Sequence, residues 1–120
     1  MNSKLPHDHG NTLEELVQVM PSTEAFNEAA SFFNQIGDGT RLKIFWILCH
    51  TQECGINLAA IIGMSTAAIS HHLKSLKLKK LIQGKRIGKE VYYTKTDTPV
   101  ANLLHEFIDK YFELVNEIAK

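Results

Sequence analysis

The chain has 120 residues, the length of a single domain, and its 44% hydrophobic and 22% charged residues are typical of a globular protein. It has no apolar run long enough to cross a bilayer, its first residues lack a secretory signal, and its two cysteines are too few for a disulfide scaffold. We therefore expect a cytoplasmic protein without a membrane partner and without room for a second, catalytic domain.

Charge is distributed unevenly along the chain, although the formal net charge is zero. Residues 1–64 carry three Lys/Arg and seven Asp/Glu, residues 65–95 carry eight and one, and residues 96–120 carry two and five, which gives −4, +7 and −3. Because phosphate neutralisation depends on local lysines and arginines, the cationic middle segment favours contact with nucleic acid. A solvated charged face that binds nothing is the alternative.

The N-terminal half predicts a polar, flexible arm over residues 1–10 and then a domain over residues 11–120. Apolar periodicity and capping residues predict three helices: one between Thr12 and Pro21, one between Ser22 or Thr23 and Gly37, and one after Thr40. In the third helix we assign four side chains to the core: Leu42, Phe45, Trp46 and Leu48.

Residues 57–78 predict a helix-turn-helix, because a short apolar helix stops at Gly63 and a new helix starts at Ser65. In the second helix three apolar residues fall at i, i+4 and i+7 and should point inward: Ile69, Leu73 and Leu76. The helix start and the opposite face then supply the predicted DNA contacts: Ser65, Thr66, Ala67, Ser70, His71 and Lys74.

Residues 81–95 predict a β-hairpin that follows the helix-turn-helix directly. Gly88 gives the turn its conformational freedom, and β-branched and aromatic residues fill the returning strand. Three cations lie around the tip, Lys85, Arg86 and Lys89, and the hairpin is expected to lie beside the phosphate backbone or the minor groove of DNA. The predicted fold is therefore mainly α with a small β-hairpin, a winged helix-turn-helix.

Three ordered motifs resemble those of the ArsR/SmtB family of winged-helix repressors, and the resemblance covers roughly Ala25 to Val115. They are Gly-Asp-Gly-Thr-Arg-Leu-Lys-Ile at 37–44, Ile-Ser-His-His-Leu at 69–73 and Gly-Lys-Glu-Val-Tyr-Tyr at 88–93. Two residues depart from the family pattern: Gly39 replaces a usual proline and Lys80 a usual glycine. The resemblance implies a sequence-specific repressor that binds double-stranded operator DNA.

The last predicted helix, residues 98–119, has more apolar surface than one small domain needs. The resemblance implies that this helix, together with the first ones, pairs across a two-fold axis in a homodimer, which would space two recognition helices for successive major grooves. Intramolecular packing is the alternative. The expected interface residues are Leu104, Phe107, Ile108 and Tyr111.

The effector of such a repressor is open at this stage, and a metal ion such as zinc is the favoured hypothesis. The family often binds soft metals in a segment where this chain has Cys54 and Asn57, so Cys54 is paired with His7 or His9 from the arm of the other subunit. A second family site, on the last helix, has Pro99 and Lys110 where histidines are usual. Two residues there offer a displaced substitute: His105 and Asp109.

Three other functions are weighed against metal sensing. A thiol switch would use Cys49 and Cys54, with His50 lowering a thiol pKa. A winged-helix module for protein contacts would leave the cationic segment without purpose. An enzyme is not expected, because the sequence has no phosphate loop, nucleophile elbow or His-Glu-x-x-His motif.

Overall fold

The computed structural model describes residues 5–7 and 12–119, so most of the predicted arm, including His9, lies outside the described residues. The described elements are α1 Thr12–Val19, α2 Thr23–Ile36, α3 Gly39–His50, β1 Glu53–Cys54, α4 Gly55–Ile62, α5 Thr66–Leu78, β2 Ile82–Ile87, β3 Glu90–Lys95 and α6 Pro99–Ala119. Within these ranges no single helix has the length and hydropathy of a membrane span; only α4 and α5 taken together do, and they are bent by 113°.

The chain divides into two compact units between Ser31 and Phe32, within α2. In the first unit, Ser22 Oγ accepts a hydrogen bond of 3.1 Å from Ala25 N, so the predicted cap of the second helix is confirmed. None of the α1 side chains is buried. Several large apolar side chains of this unit are at least half exposed: Leu13, Leu16, Val19, Met20 and Phe26.

The core of the second unit is built around α3 and α5. From α3, the side chains of Ile44, Phe45 and Leu48 are at most 1% exposed. The three side chains of α5 that were predicted to point inward are buried with them, and α6 adds Ala101, Leu104 and Ile108. The assignment of Trp46 to the core is wrong, because its ring lies at the surface with 40% exposure.

The predicted hairpin is confirmed as the β2–β3 ribbon, and a third strand that the sequence did not indicate completes the sheet. The strand order is β1-β3-β2, with Cys54 paired to Tyr92 and Ile82 paired to Lys95. Gly88 occupies the left-handed region in the β2–β3 turn, with φ of 65°. Because β1 pairs with β3, the segment that leads into the helix-turn-helix is fixed to the wing.

Lys80 links α5 to the wing in a conformation that L-residues rarely adopt. Its φ is 58°, while its N–H donates to Lys77 O and the N–H of Leu81 donates to Leu76 O. These two bonds form a Schellman motif, in which the position of Lys80 is normally glycine. The carbonyl of Lys80 also accepts a 2.7 Å bond from the hydroxyl of buried Thr96. Lys80, which stands where the family usually has glycine, is thus a strained residue that its neighbours hold in place by hydrogen bonds.

Lys80→Gly should stabilise the protein. Relief of the left-handed strain, about 1–2 kcal/mol, exceeds the extra entropy of glycine in the unfolded chain, about 0.4–1 kcal/mol, so the free energy of unfolding should rise by about 0.5–1 kcal/mol. Urea unfolding at matched protein concentration measures this. Lys80→Ala is the control, because it removes the same side chain and keeps the strain. A glycine variant no more stable than the alanine variant would contradict the account.

Candidate DNA-binding surface and effector sites

The outward face of α5 is a continuous exposed surface with a rigid base. Every side chain of the predicted face is exposed: Thr66, Ala67, Ser70, His71 and Lys74. Beneath it, Ile69 is fully buried and Leu73 and Leu76 are nearly so, which prevents rotation of the helix. Small and hydroxyl side chains on an exposed helix allow close approach to base edges in a major groove.

The start of α5 combines a capping serine with free backbone donors. Ser65 Oγ accepts a 3.1 Å hydrogen bond from Ala68 N, so this oxygen already satisfies one donor of the helix. The remaining N–H groups of the first turn have no partner within the helix and carry the positive end of its dipole. A phosphate at this end would meet those donors together with the hydroxyl of Thr66.

The wing presents its cations to solvent on both faces of a two-stranded ribbon. Lys85, Arg86 and Lys89 are all exposed. Lys85 pairs with Tyr92 and Arg86 with Val91, and successive side chains of a strand point to opposite faces. The two charges therefore flank the ribbon, with Lys89 at its turn, an arrangement suited to following a phosphate backbone.

A contact that sequence reasoning missed joins α3 to α5. Arg41 Nε donates to His72 Nδ1 at 3.1 Å, and Arg41 Nη1 donates to Gln35 O at 2.6 Å. Burial, together with the nearby charge of Arg41, lowers the pKa of His72 below its ordinary value. The imidazole is therefore neutral near pH 7 and free to accept this bond. The only sequence signal was that both residues lie in the family motifs.

Comparison with known proteins identifies the family. The model described as "Bacterial regulatory protein, arsR family" matches residues 38–83. The transcriptional repressor SmtB homolog of Synechocystis sp. is 35% identical over 100 residues, which cover 81% of this chain and 76% of that protein. The chain belongs to the ArsR family. The cadmium resistance transcriptional regulatory protein CadC of Listeria innocua is 40% identical over 76 residues, 62% of this chain and 64% of that one.

Solved structures with the same architecture confirm the fold class. The homodimeric winged helix-turn-helix DNA-binding domain of Mb0332 from Mycobacterium bovis superimposes with a TM-score of 0.67, covers 82% of this chain and 94% of its own, and is 23% identical. At that identity the likeness shows the fold alone. The winged helix-turn-helix predicted from the sequence, and its family, are thus both confirmed.

Cys54 is the single thiol in the segment where ArsR-family proteins often bind soft metals, and its side chain is buried. Cys54 is 6% exposed and its N–H donates to Glu53 Oε2 at 3.0 Å. The amide of Asn57 donates to the same carboxylate oxygen at 2.8 Å. The backbone hydrogen bond from Cys54, together with the side-chain hydrogen bond from Asn57, lowers the pKa of Glu53. The predicted partner His7 is exposed, and His9 lies outside the described residues.

The other cysteine of this ArsR-family chain, Cys49, is partly buried at the end of α3. Burial raises the pKa of the Cys49 thiol to about 12, against the opposing effect of the charge of Lys95. His50 is not among the groups that shift the pKa of Cys49, so the expected lowering by His50 is not found at this thiol. The His50 ring packs instead against Trp46, with ring centroids 4.5 Å apart.

Helix α6 divides its apolar residues between the core and the surface. Leu104 and Ile108 are at most 8% exposed within the single chain, whereas Phe107 and Tyr111 are 62% and 53% exposed. Of the four predicted interface residues, only the latter two keep apolar area for a partner. Their rings line an open apolar groove of about 570 Å³, together with Trp46 and Phe112.

The predicted pair His105 and Asp109 acquires a third potential ligand from α3. His105 Nε2 lies 2.9 Å from Asp109 Oδ2, and the ring of His50 lies edge-on to that of His105 with centroids 5.0 Å apart. Among the residues that the structure describes, these three form the one group of three with metal-ligand spacing. Sequence reasoning found two of them and missed His50.

The raised pKa of Cys49 predicts slow alkylation. In a Cys54→Ser variant, where Cys49 is the only thiol, the rate with iodoacetamide should rise about tenfold per pH unit from pH 7 to 10 without a plateau, since only the thiolate reacts. Mass spectrometry measures the rate, and circular dichroism verifies the fold at each pH. Urea-unfolded protein is the control and should level off near pH 8.5. A plateau below pH 9 in folded protein would contradict the assignment.

Proposed function

We propose that this chain is a homodimeric, sequence-specific DNA-binding repressor that a metal ion releases from its operator. The observation that carries the proposal is the exposed face of α5 beside the cationic wing, within a segment of net charge +7. No other part of the chain concentrates positive charge in this way. Binding of chromosomal DNA would place the protein in the cytoplasm, and its relatives are regulators rather than enzymes.

Two kinds of contact follow from this surface, and they have different consequences. Ser70 and His71 have the length and polarity to reach base edges, so they would determine which sequence is bound. Lys85, Arg86 and Lys89 would neutralise phosphates, so they would determine affinity for any duplex and its dependence on salt. Double-stranded DNA fits both sets at once, whereas a protein-contact module would use neither the charge nor the small-residue face.

The dimer is supported by apolar surface that the chain leaves exposed. On α6, Leu103, Phe107 and Phe112 are each more than half exposed, as are Leu13, Leu16 and Val19 of α1. Large exposed apolar patches mark association sites in proteins that are otherwise polar at the surface. A second copy is the occupant proposed here, because the operator would then meet two α5 helices related by a two-fold axis.

Release by a metal requires that the ion bind one conformation better than the other. Zinc is a suitable ion for the thiolate and imidazole groups proposed at Cys54, with His7 and His9 from the second subunit. The names of the SmtB homolog and of the cadmium resistance regulator CadC support a repressor and a metal response respectively. Burial of Cys54 means that such a site requires the α4 end to open.

Replacement of the base-reading residues should damage recognition without unfolding the protein. Ser70→Ala and His71→Ala should each weaken binding to the upstream operator by about 1–3 kcal/mol while affinity for random duplex stays within about twofold. Fluorescence anisotropy with the two labelled duplexes measures both. If both variants bound the operator as tightly as the parent, α5 would not be the reading helix.

Variants of the wing cations, tested in the same assay, should show a different pattern from the variants of Ser70 and His71. Neutralising Lys85, Arg86 or Lys89 to Gln should weaken both duplexes equally and reduce the slope of log affinity against log salt by about 0.9 per lost phosphate contact. Lys110→Gln is the control, because this exposed lysine lies on α6 and pairs with Glu113 at 3.2 Å. An unchanged salt slope in the triple wing variant would remove the wing from the interface.

A further inference from the structure

The strongest unassigned feature is a group of three side chains between the end of α3 and the middle of α6. His50 is the last residue of α3, and His105 and Asp109 are one turn apart on α6. One ligand atom from each lies within 4.8 Å of the other two. Neither Cys54 nor the positions of Pro99 and Lys110, where the family has histidines, contribute to this group.

The chemistry of the group fits a divalent transition metal. Two imidazoles and one carboxylate are a common catalytic or exchangeable zinc ligand set, with a fourth position left for water. Tetrahedral bonds of about 2.0 Å require ligand atoms about 3.3 Å apart, so a pair at the 4.8 Å limit must close by about 1.5 Å. His50 is exposed and can make this adjustment by side-chain rotation.

Asp109 is already oriented in the way that metal-binding carboxylates are. Its Oδ1 accepts a 3.0 Å hydrogen bond from the indole N–H of Trp46, which leaves Oδ2 facing His105. His105 Nε2 is buried and lies 2.9 Å from Oδ2, yet the two atoms are not aligned for a hydrogen bond. A buried nitrogen without a hydrogen-bond partner requires an explanation. An ion between these atoms would satisfy both.

We propose that His50, His105 and Asp109 bind a divalent metal ion of the zinc, cobalt and nickel class within one subunit. Imidazole and carboxylate ligands select these borderline ions rather than the softer ions that thiolates prefer. The position at the carboxyl end of α3 adds the negative end of that helix dipole to the attraction. This site is complete in a single chain and needs neither cysteine.

The same site is mechanically connected to the recognition helix through α3. Arg41, in the first turn of α3, donates to His72 on α5, and His50 ends the same helix nine residues later, about 14 Å away. An ion that draws His50 toward α6 therefore acts on the helix that holds α5. This regulatory role rests on the proposed repressor function, whereas the metal site itself does not.

Cobalt(II) titration of the metal-free full-length protein tests the site directly. Tetrahedral cobalt gives visible d–d absorption, and we expect one equivalent per chain, displaced by zinc. Trp46 is the sole tryptophan and contacts both His50 and Asp109. Its fluorescence should therefore be quenched over the same range of cobalt concentration in which the d–d absorption appears. His50→Gln, His105→Gln and Asp109→Asn should each weaken binding by at least about 100-fold, since even outer-shell partners cost 10- to 100-fold.

Two matched variants make the result decisive. Glu106→Gln removes an exposed carboxylate from α6 outside the group and should leave cobalt affinity unchanged. Cys54→Ser should also leave it unchanged. Absence of the d–d band, loss of binding in Cys54→Ser, or retention of binding in all three ligand variants made in the Cys54→Ser background would each overturn the proposal. Circular dichroism confirms that each variant is folded.

The regulatory role is then read from operator affinity with and without zinc. In a Cys54→Ser background, which removes the other proposed metal site, we expect zinc to weaken operator binding at least tenfold in the otherwise unchanged protein and in Glu106→Gln, but not in the three ligand variants. If metal-free protein binds no DNA while cobalt still binds at the group, the proposed repressor function is refuted and the proposed metal site is not. If zinc releases DNA equally in the ligand variants, the site has no role in release.

Discussion

Burial of one face of α3 is the constraint on which the rest of the molecule depends. Ile44, Phe45 and Leu48 are at most 1% exposed, and the helix that carries them packs against α5, β3 and α6. Because protein interiors are close-packed, none of these three elements can move far without repacking α3. Two other residues of α3 extend this constraint to its neighbours, since Arg41 hydrogen-bonds to α5 and Trp46 hydrogen-bonds to α6. One buried helix thus sets the position of the proposed DNA-binding surface relative to the groove beside α6.

Segregation of charge explains how a protein of zero net charge is suited to a polyanion. The acidic residues lie mostly in the N-terminal half and on the last helix, while residues 65–95, which include α5 and the wing, hold eight of the thirteen lysines and arginines. Phosphate attraction falls off within about 10 Å at moderate salt, so distant acidic groups weaken it little. The strand β1 contributes by fixing the wing to the start of α4, and hence to the helix-turn-helix. Position, and not total charge, makes this surface a DNA-binding candidate.

Most of the fold was predictable from the sequence because periodicity, capping residues and turn glycines agreed with one another. The inward face of α5, the Ser22 cap and the β2–β3 hairpin are examples. The sequence missed β1, since two residues carry no periodicity and gain strand character only by pairing with Tyr92 and Tyr93. Trp46 was misplaced because helical spacing does not register a polar partner 63 residues away. His50 joins His105 for the same reason: tertiary packing brings them together across 55 residues.

The central claim is that two copies of α5, held by a dimer, read two major grooves on one side of a duplex. Hydroxyl-radical footprinting on the DNA upstream of the coding sequence measures this most directly, in metal-free protein at moderate salt. The account predicts two protected regions about 10–10.5 base pairs apart, or a multiple of that spacing, on a pseudo-palindromic site. A single protected half-site, or uniform protection that disappears with competitor DNA, would contradict it.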